Sequence, residues 1–218
     1  MKIKSTIPWG KLGLELLVVF LGVSAGFVMN GWRAEANEKD LQDKYIQGFI
    51  EDINSNVTEL VSAIEKDSSW IAQSTPVIKS MMADTFHFDS LNDVVQSIVQ
   101  LSRVDLRSTT YQNMTNSGNH VVIDEFELRN DLIEYHNVLD GVGFIEDYFQ
   151  DYFNQMVMPV VFREFNFLTG RFKKEVNFAS IDFNNSFVGY YSLVLQRRKA
   201  YQDALDGSKE MLKKLSVE

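Results

Sequence analysis

From Leu12 to Trp32 the chain reads LGLELLVVFLGVSAGFVMNGW, and between Leu16 and Met29 it holds neither a charge nor a proline. At about 1.5 Å per residue, a helix from Trp9 to Trp32 spans roughly 35 Å, enough to cross a hydrocarbon layer of about 30 Å. It would place an indole in each headgroup region, so Trp9 and Trp32 are expected at the membrane interfaces, in contact with membrane lipid. The pattern predicts a transmembrane helix over 12–32, preceded by a short tail, 1–11, and followed by a helical domain, 33–218. Two other readings compete. Ala34-Glu35-Ala36 matches the A-x-A cleavage site of a secretory signal peptide, but the apolar run is long for one, and Trp32 and Arg33 crowd the cut. A buried helix of a soluble protein seldom runs this far without a polar face. An uncleaved anchor is the expectation.

Beyond the span the pattern becomes amphipathic. Leu41, Tyr45, Phe49, Ile53, Val57, Leu60 and Ile64 recur at three-and-four spacing, which predicts a helix from Ala34 to about Ile71 that continues the membrane helix as one rod. Ser74-Thr75-Pro76 predicts a break, with a turn or two resuming over Val77 to Met82. Asp84 to Ser90 reads as a loop, and Leu91 to Arg103 as a second helix capped by Ser90. Residues 108–119 predict a short helical turn ending at Gly118. A third helix is expected from Asp124 to Met158, stopping before Pro159 and weakened by Gly141 and Gly143. Phe126 or Leu128, Leu132, Tyr135, Leu139, Val142, Tyr148, Phe149, Tyr152 and Phe153 carry it. Residues 160–184 show no clear period. A last helix, Phe187 to Leu215 with Asn185 as cap, turns Tyr191, Val194 or Leu195, Tyr201, Leu205, Met211 or Leu212 and Leu215 inward.

The expected fold is therefore mainly α, with an N-terminal transmembrane helix continuing into an antiparallel helical bundle. The phenylalanine-rich stretch from Phe144 to Phe187 reads first as core at one bundle end and second as an exposed patch docking a protein or a membrane.

Three residue types inside the span do not suit a plain lipid anchor. Glu15 lies about one turn inside it, Gly22 and Gly26 form G-x-x-x-G, and Asn30 closes its outer end. Glu15, Val19, Gly22, Gly26 and Asn30 step by four, three, four and four, and so share one stripe. Small residues let two backbones approach in lipid, and polar groups find partners across such an interface, so this stripe is the candidate helix-docking face. The simpler alternative has Glu15 reaching the headgroups beside Lys11 while the glycines are incidental.

Charge sets the orientation and narrows the partners. Lys2, Lys4 and Lys11 precede the span, whereas Arg33 is followed by Glu35, Glu38 and Asp40; the positive-inside bias keeps the N-terminus in the cytoplasm. In a bacterium the remainder is then periplasmic, anchored in the inner membrane. The formal net charge is -9, and since the first 32 residues are net positive, the acidity belongs to the exported part. Such a domain is a poor match for nucleic acid or for anionic lipid surfaces, which attract basic patches. With no cysteine, the chain has no disulfide, thiolate metal site or cysteine nucleophile.

Candidate chemistry is sparse. His87, His120 and His136 lie outside any H-E-x-x-H or Glu-x-x-His arrangement, and Asp84-x-x-His87 is a lone pair in a predicted loop, so no metal or other cofactor is expected. Phosphate-binding glycine loops and the G-x-S-x-G nucleophile turn are missing from the sequence. Glu127, Asp131 and Glu134 share a helix face and read as a solvated acidic surface. Asn56-Val57-Thr58 and Asn113-Met114-Thr115 match the glycosylation pattern, which has no weight in a bacterium.

The anchor ELLVVFLGVSAGFVMNGW running into an acidic helix, then Tyr111-Gln112-Asn113-Met114 with Ser117-Gly118-Asn119, then DEFELRNDLIEY at 124–135, resembles a family of single-pass bacterial membrane proteins. The resemblance covers the anchor and about two thirds of the outer domain. It implies a mostly helical periplasmic domain of unknown function and supplies no catalytic residues. The sequence thus leads to a non-enzymatic accessory or scaffold subunit that docks other membrane protein subunits or copies of itself. A periplasmic ligand-binding or sensing domain is the alternative, weakened by a tail too short for an output domain.

Overall fold

The computed structural model describes residues 9–83, 88–98, 103–173, 176–177 and 180–216. Helix α1 runs over Trp9–Met82, α2 over Phe88–Ile98, α3 over Thr109–Asn116, α4 over Phe126–Tyr152, α5 over Met158–Glu164 and α6 over Ile181–Leu215. A two-residue hairpin, β1 (Phe165–Asn166) antiparallel to β2 (Arg171–Phe172), is the strand structure among the described residues. The chain divides into two compact units, 1–47 and 48–218.

In the first unit, the helix is long and apolar enough to cross a membrane by length and composition, and its apolar window buries nothing inside the protein. Leu16, Phe20 and Phe27 are all more than two-thirds exposed, as expected of side chains whose solvent is lipid.

The second unit is an antiparallel helical bundle. Asp67 and Thr75 of α1 meet Arg197 and Tyr191 of α6, so residue numbers ascend on one helix as they descend on the other. The same holds between α4 and α6, where Asp131 pairs with Lys214 and Glu146 with Tyr201. Helices α1 and α4 therefore run parallel, with α6 antiparallel to both. The inward face of α1 reads Phe49, Ile53, Asn56, Leu60, Asp67, Trp70, Ser74 and Val77, a three-and-four series in which polar residues interrupt the apolar ones. At the ambiguous positions, the buried members are Leu128, Val194 and Met211, while Tyr148, expected inside, is half-exposed.

The short helix α3 and Gly118, with φ of 72°, match the expected turn and left-handed glycine. Elsewhere the boundaries differ from the pattern. Helix α1 does not stop at Ser74-Thr75-Pro76 but carries Pro76 within it. Proline removes the donor for the Ala72 carbonyl, while the neighbouring Thr75 hydroxyl ties the helix to α6 by meeting the Tyr191 hydroxyl at 2.7 Å as it bonds the Ile71 carbonyl at 2.6 Å. Burial of Trp70, Ser74, Val77 and Ile78 on either side holds the helix through the defect. Helix α2 is described over Phe88–Ile98, so Ser90 lies inside it and is not its cap; residues 99–102 of the expected helix lie outside the described residues, and Arg103 is not helical. Residues 84–87, with the Asp84–His87 pair, are outside the described residues.

The α4 ladder passes Gly141 and Gly143 unbroken; its irregularity comes later, as a π-helical turn over Phe153–Val157. That turn carries the chain past Pro159, which sits in the first turn of α5 where a missing amide costs least. Ser186 of α6 donates to the Met156 carbonyl at 2.8 Å, supplying a partner in the widened turn. Helix α6 begins at Ile181, capped by Ser180 Oγ, which accepts from the Phe183 amide; Asn185 is one turn inside. The stretch read as irregular thus contains α5, the hairpin and the first turn of α6. The rings of the phenylalanine-rich stretch Phe144 to Phe187 divide between both readings: Phe149, Phe165, Phe172, Phe183 and Phe187 are core, and Phe144, Phe162 and Phe167 are exposed.

Candidate functional site

In the first unit, Glu15, Val19, Gly22, Gly26 and Asn30 all lie on α1 and all are exposed. A Cβ added at Gly22 or Gly26 would meet nothing within 4 Å, so both glycines leave a shallow groove with no occupant among the described residues. Trp32 is 68% exposed, and Trp9 opens the helix.

The second unit holds a site that the sequence pattern did not indicate. Arg197 of α6 is 1% exposed and binds Asp67 of α1 through two parallel bonds, Nη2 to Oδ1 at 2.6 Å and Nε to Oδ2 at 3.1 Å. Its Nη1 lies 3.8 Å from Oε2 of Glu146 on α4, and its guanidinium carbon lies 3.9 Å from the centre of the Phe149 ring. Glu146 Oε1 accepts from the Tyr201 hydroxyl and from the Val104 amide, the latter at 3.3 Å. One cation and two carboxylates therefore join the three long helices of the bundle at one level. A planar five-donor fork suits this task, since it can engage two carboxylates while lying flat on a ring.

Burial governs the protonation of the cluster. It pushes the Asp67 carboxyl up from the ordinary carboxylate value, and Arg197 only partly counters this. For Arg197 burial works downward, but the hydrogen bonds and charge of Asp67, with the charge of Glu146, outweigh it and hold the guanidinium charged. Burial likewise pushes the Tyr190 and Tyr201 hydroxyls up, so both stay neutral donors. Around this cluster, the buried Trp70 Nε1, Ser74 Oγ and Tyr190 hydroxyl lack a protein partner. Trp70 and Tyr190 meet edge to face at 5.2 Å.

A second polar knot lies nearer the start of α4. Asn56 is paired in both directions with the backbone of Arg107, at 2.6 and 2.9 Å, and donates to the Tyr135 hydroxyl, which meets Ser208 at 3.1 Å. This knot fastens the extended segment before α3 to α1, α4 and α6. His136 packs beside it, stacked on Tyr111 at 3.9 Å with Nε2 buried and unpartnered. Burial lowers its pKa to about 4, against the opposing charges of Asp140 and Asp52. His120 is exposed, and no group of three possible metal ligands occurs among the described residues. Of the acidic face, Glu127 and Glu134 are exposed, and Asp131 bonds Lys214 at 2.7 Å.

The paired and buried state of these groups makes them tertiary fasteners. A groove of about 420 Å³ opens to solvent between 103–108 and 139–147, bordered by the Arg103–Asp147 ion pair and the exposed Phe144. What would have betrayed the cluster in the sequence is an acid and an arginine on otherwise apolar helix faces: Asp67 between Leu60 and Trp70, and Arg197 between Val194 and Tyr201. Comparison of the chain with family models, with curated proteins and with solved structures yields no match.

Proposed function

We propose that this chain is a non-catalytic, single-pass accessory subunit of a larger membrane assembly, of the kind its sequence resembles. It is anchored in a bacterial inner membrane with its N-terminus in the cytoplasm and its helical domain in the periplasm. The observation that carries the reading is the stripe on α1: Gly22 and Gly26 open and uncovered, with Glu15 and Asn30 exposed on the same face of an apolar helix. An ionisable residue and a small-residue groove at membrane depth are costly without a protein neighbour and useful with one. The neighbour is another membrane subunit or a second copy. The bundle supports a scaffolding role because its buried fasteners rigidify it.

Native mass spectrometry of the particle extracted in mild detergent tests the proposal directly. A fixed stoichiometry with other membrane proteins, or with itself, is the expected result, and a lone monomer overturns it. Gly22→Ile with Gly26→Ile fills the groove and is expected to release the partner while the outer bundle keeps its melting temperature. Unchanged association after that double substitution removes the stripe from the argument.

A further inference from the structure

The β1–β2 hairpin presents its most apolar residue to solvent by construction. Asn166 Oδ1 accepts from the amides of Leu168 and Thr169 at 2.9 and 3.2 Å, the Gly170 amide bonds the Asn166 carbonyl at 2.8 Å, and Gly170 takes φ of 64°. This tight turn leaves Leu168 98% exposed. The hairpin is itself fixed: the Phe172 amide bonds Asn92 of α2 at 3.2 Å, and Gln96 donates to the Gly170 carbonyl at 3.3 Å. Beside the tip, Phe162 is 68% and Phe167 50% exposed, and Phe167 rests edge-on against buried Phe165 at 5.4 Å. Three apolar side chains are thus held outward on a rigid base.

Their surroundings are basic in an acidic protein. Within 162–173, Arg163, Arg171 and Lys173 outnumber Glu164, which pairs with Arg163, whereas the chain as a whole carries -9. All three cations are exposed or have exposed side chains. A convex tip of three side chains is far smaller than the roughly 800 Å² per partner of a stable protein interface and offers no concavity to a second copy. A lipid surface needs no matching pocket: apolar side chains enter the acyl boundary while cations sit among anionic headgroups.

From this we infer that the 162–173 hairpin docks reversibly on the anionic surface of a bilayer presented to its end of the bundle, inserting Leu168 and Phe167 while Arg171 and Lys173 bind headgroup phosphates. Phe165 and Phe172 belong to the same buried cluster as Val77 and Phe183, so the hairpin is fixed to the bundle where the last turns of α1 and the first turn of α6 meet. This goes beyond the accessory-subunit reading and does not depend on which subunit α1 meets.

The full chain in nanodiscs, mixed with vesicles of phosphatidylcholine alone or of phosphatidylcholine with anionic phosphatidylglycerol, tests it. Since the chain has no cysteine, Leu168→Cys accepts a single environment-sensitive fluorophore, with exposed Gln202→Cys as the control. A blue shift and quenching by nitroxide lipid in the anionic vesicles, at residue 168 and not at 202, is expected. Arg171→Glu with Lys173→Glu should lower vesicle co-flotation at least about tenfold, since each cation contributes on the order of a fivefold preference for the anionic surface. Equal binding to neutral vesicles, an unchanged spectrum, or a blue shift already complete before vesicles are added would each overturn the inference. Because nanodisc incorporation reports the anchor separately, failure of the docking leaves the anchoring result readable.

Discussion

Replacing Arg197 by methionine is the most informative single change in the bundle. The side chain is 1% exposed and makes two bonds to Asp67, a longer ion pair to Glu146 and a face contact with Phe149 at 3.9 Å. Methionine fills much of the volume but leaves two buried carboxylates without their cation, a loss of about 3–5 kcal/mol for breaking a buried pair. For a domain of this size that corresponds to a fall in melting temperature of about 10 °C, measurable by near-ultraviolet dichroism of the full chain in detergent. The pH dependence carries the diagnosis. Burial already raises Asp67 above the ordinary carboxylate value of 3.8, and without Arg197 the folded variant holds that proton more tightly still. A group whose folded pKa is raised contributes stability on the acid side and loses it as pH rises through the folded value. The deficit of Arg197→Met is therefore largest at neutral pH and shrinks as pH falls toward 3.8. Adding Asp67→Asn to the variant should recover part of the loss at pH 7. A deficit below about 1 kcal/mol, or one that is constant with pH, would refute the assignment of Arg197 to a desolvated ion pair.

Two tyrosines with equally buried hydroxyls should respond oppositely to loss of oxygen. Tyr190 has no protein partner, so Tyr190→Phe is expected to be neutral or stabilising by about 1 kcal/mol, whereas Tyr135→Phe, which breaks contacts with Asn56 and Ser208, should cost about 1–2 kcal/mol; urea unfolding of the two variants side by side checks this. His136 titrates with the opposite sign to Asp67. Its folded pKa is lowered to about 4, so its neutral form stabilises the fold above 6.5 and that stability, about 3 kcal/mol, drains away as pH falls from 6.5 to 4. His136→Phe keeps the ring against Tyr111 and should flatten the stability profile across that window; an unchanged slope would show that His136 is not its source.

Periodicity alone determined the elements that depend on local rules. The apolar run of α1, the amphipathic face from Phe49 to Leu60, the left-handed Gly118 and the inward Tyr201 and Leu205 follow from side-chain spacing or backbone freedom, which any stretch of chain carries with it. The stripe from Glu15 to Asn30 was legible for the same reason, being the geometry of one helix. Where the reading failed, a distant residue had overruled a local preference. Pro76 stays helical because Trp70, Ser74 and Val77 are buried around it, and the chain passes Pro159 because a π-helical turn precedes it while Ser186, thirty residues from Met156, donates to that turn. Helix α6 starts four residues before its expected cap because Phe183 and Phe187 pack into the core made by α2 and the hairpin. The Asp67–Arg197–Glu146 cluster was invisible for a stronger reason. Each member alone reads as a surface charge, and only the antiparallel register of α6 against α1 and α4 brings 67, 146 and 197 to one level. There the loss of water makes their mutual attraction a property of the fold and of no single helix.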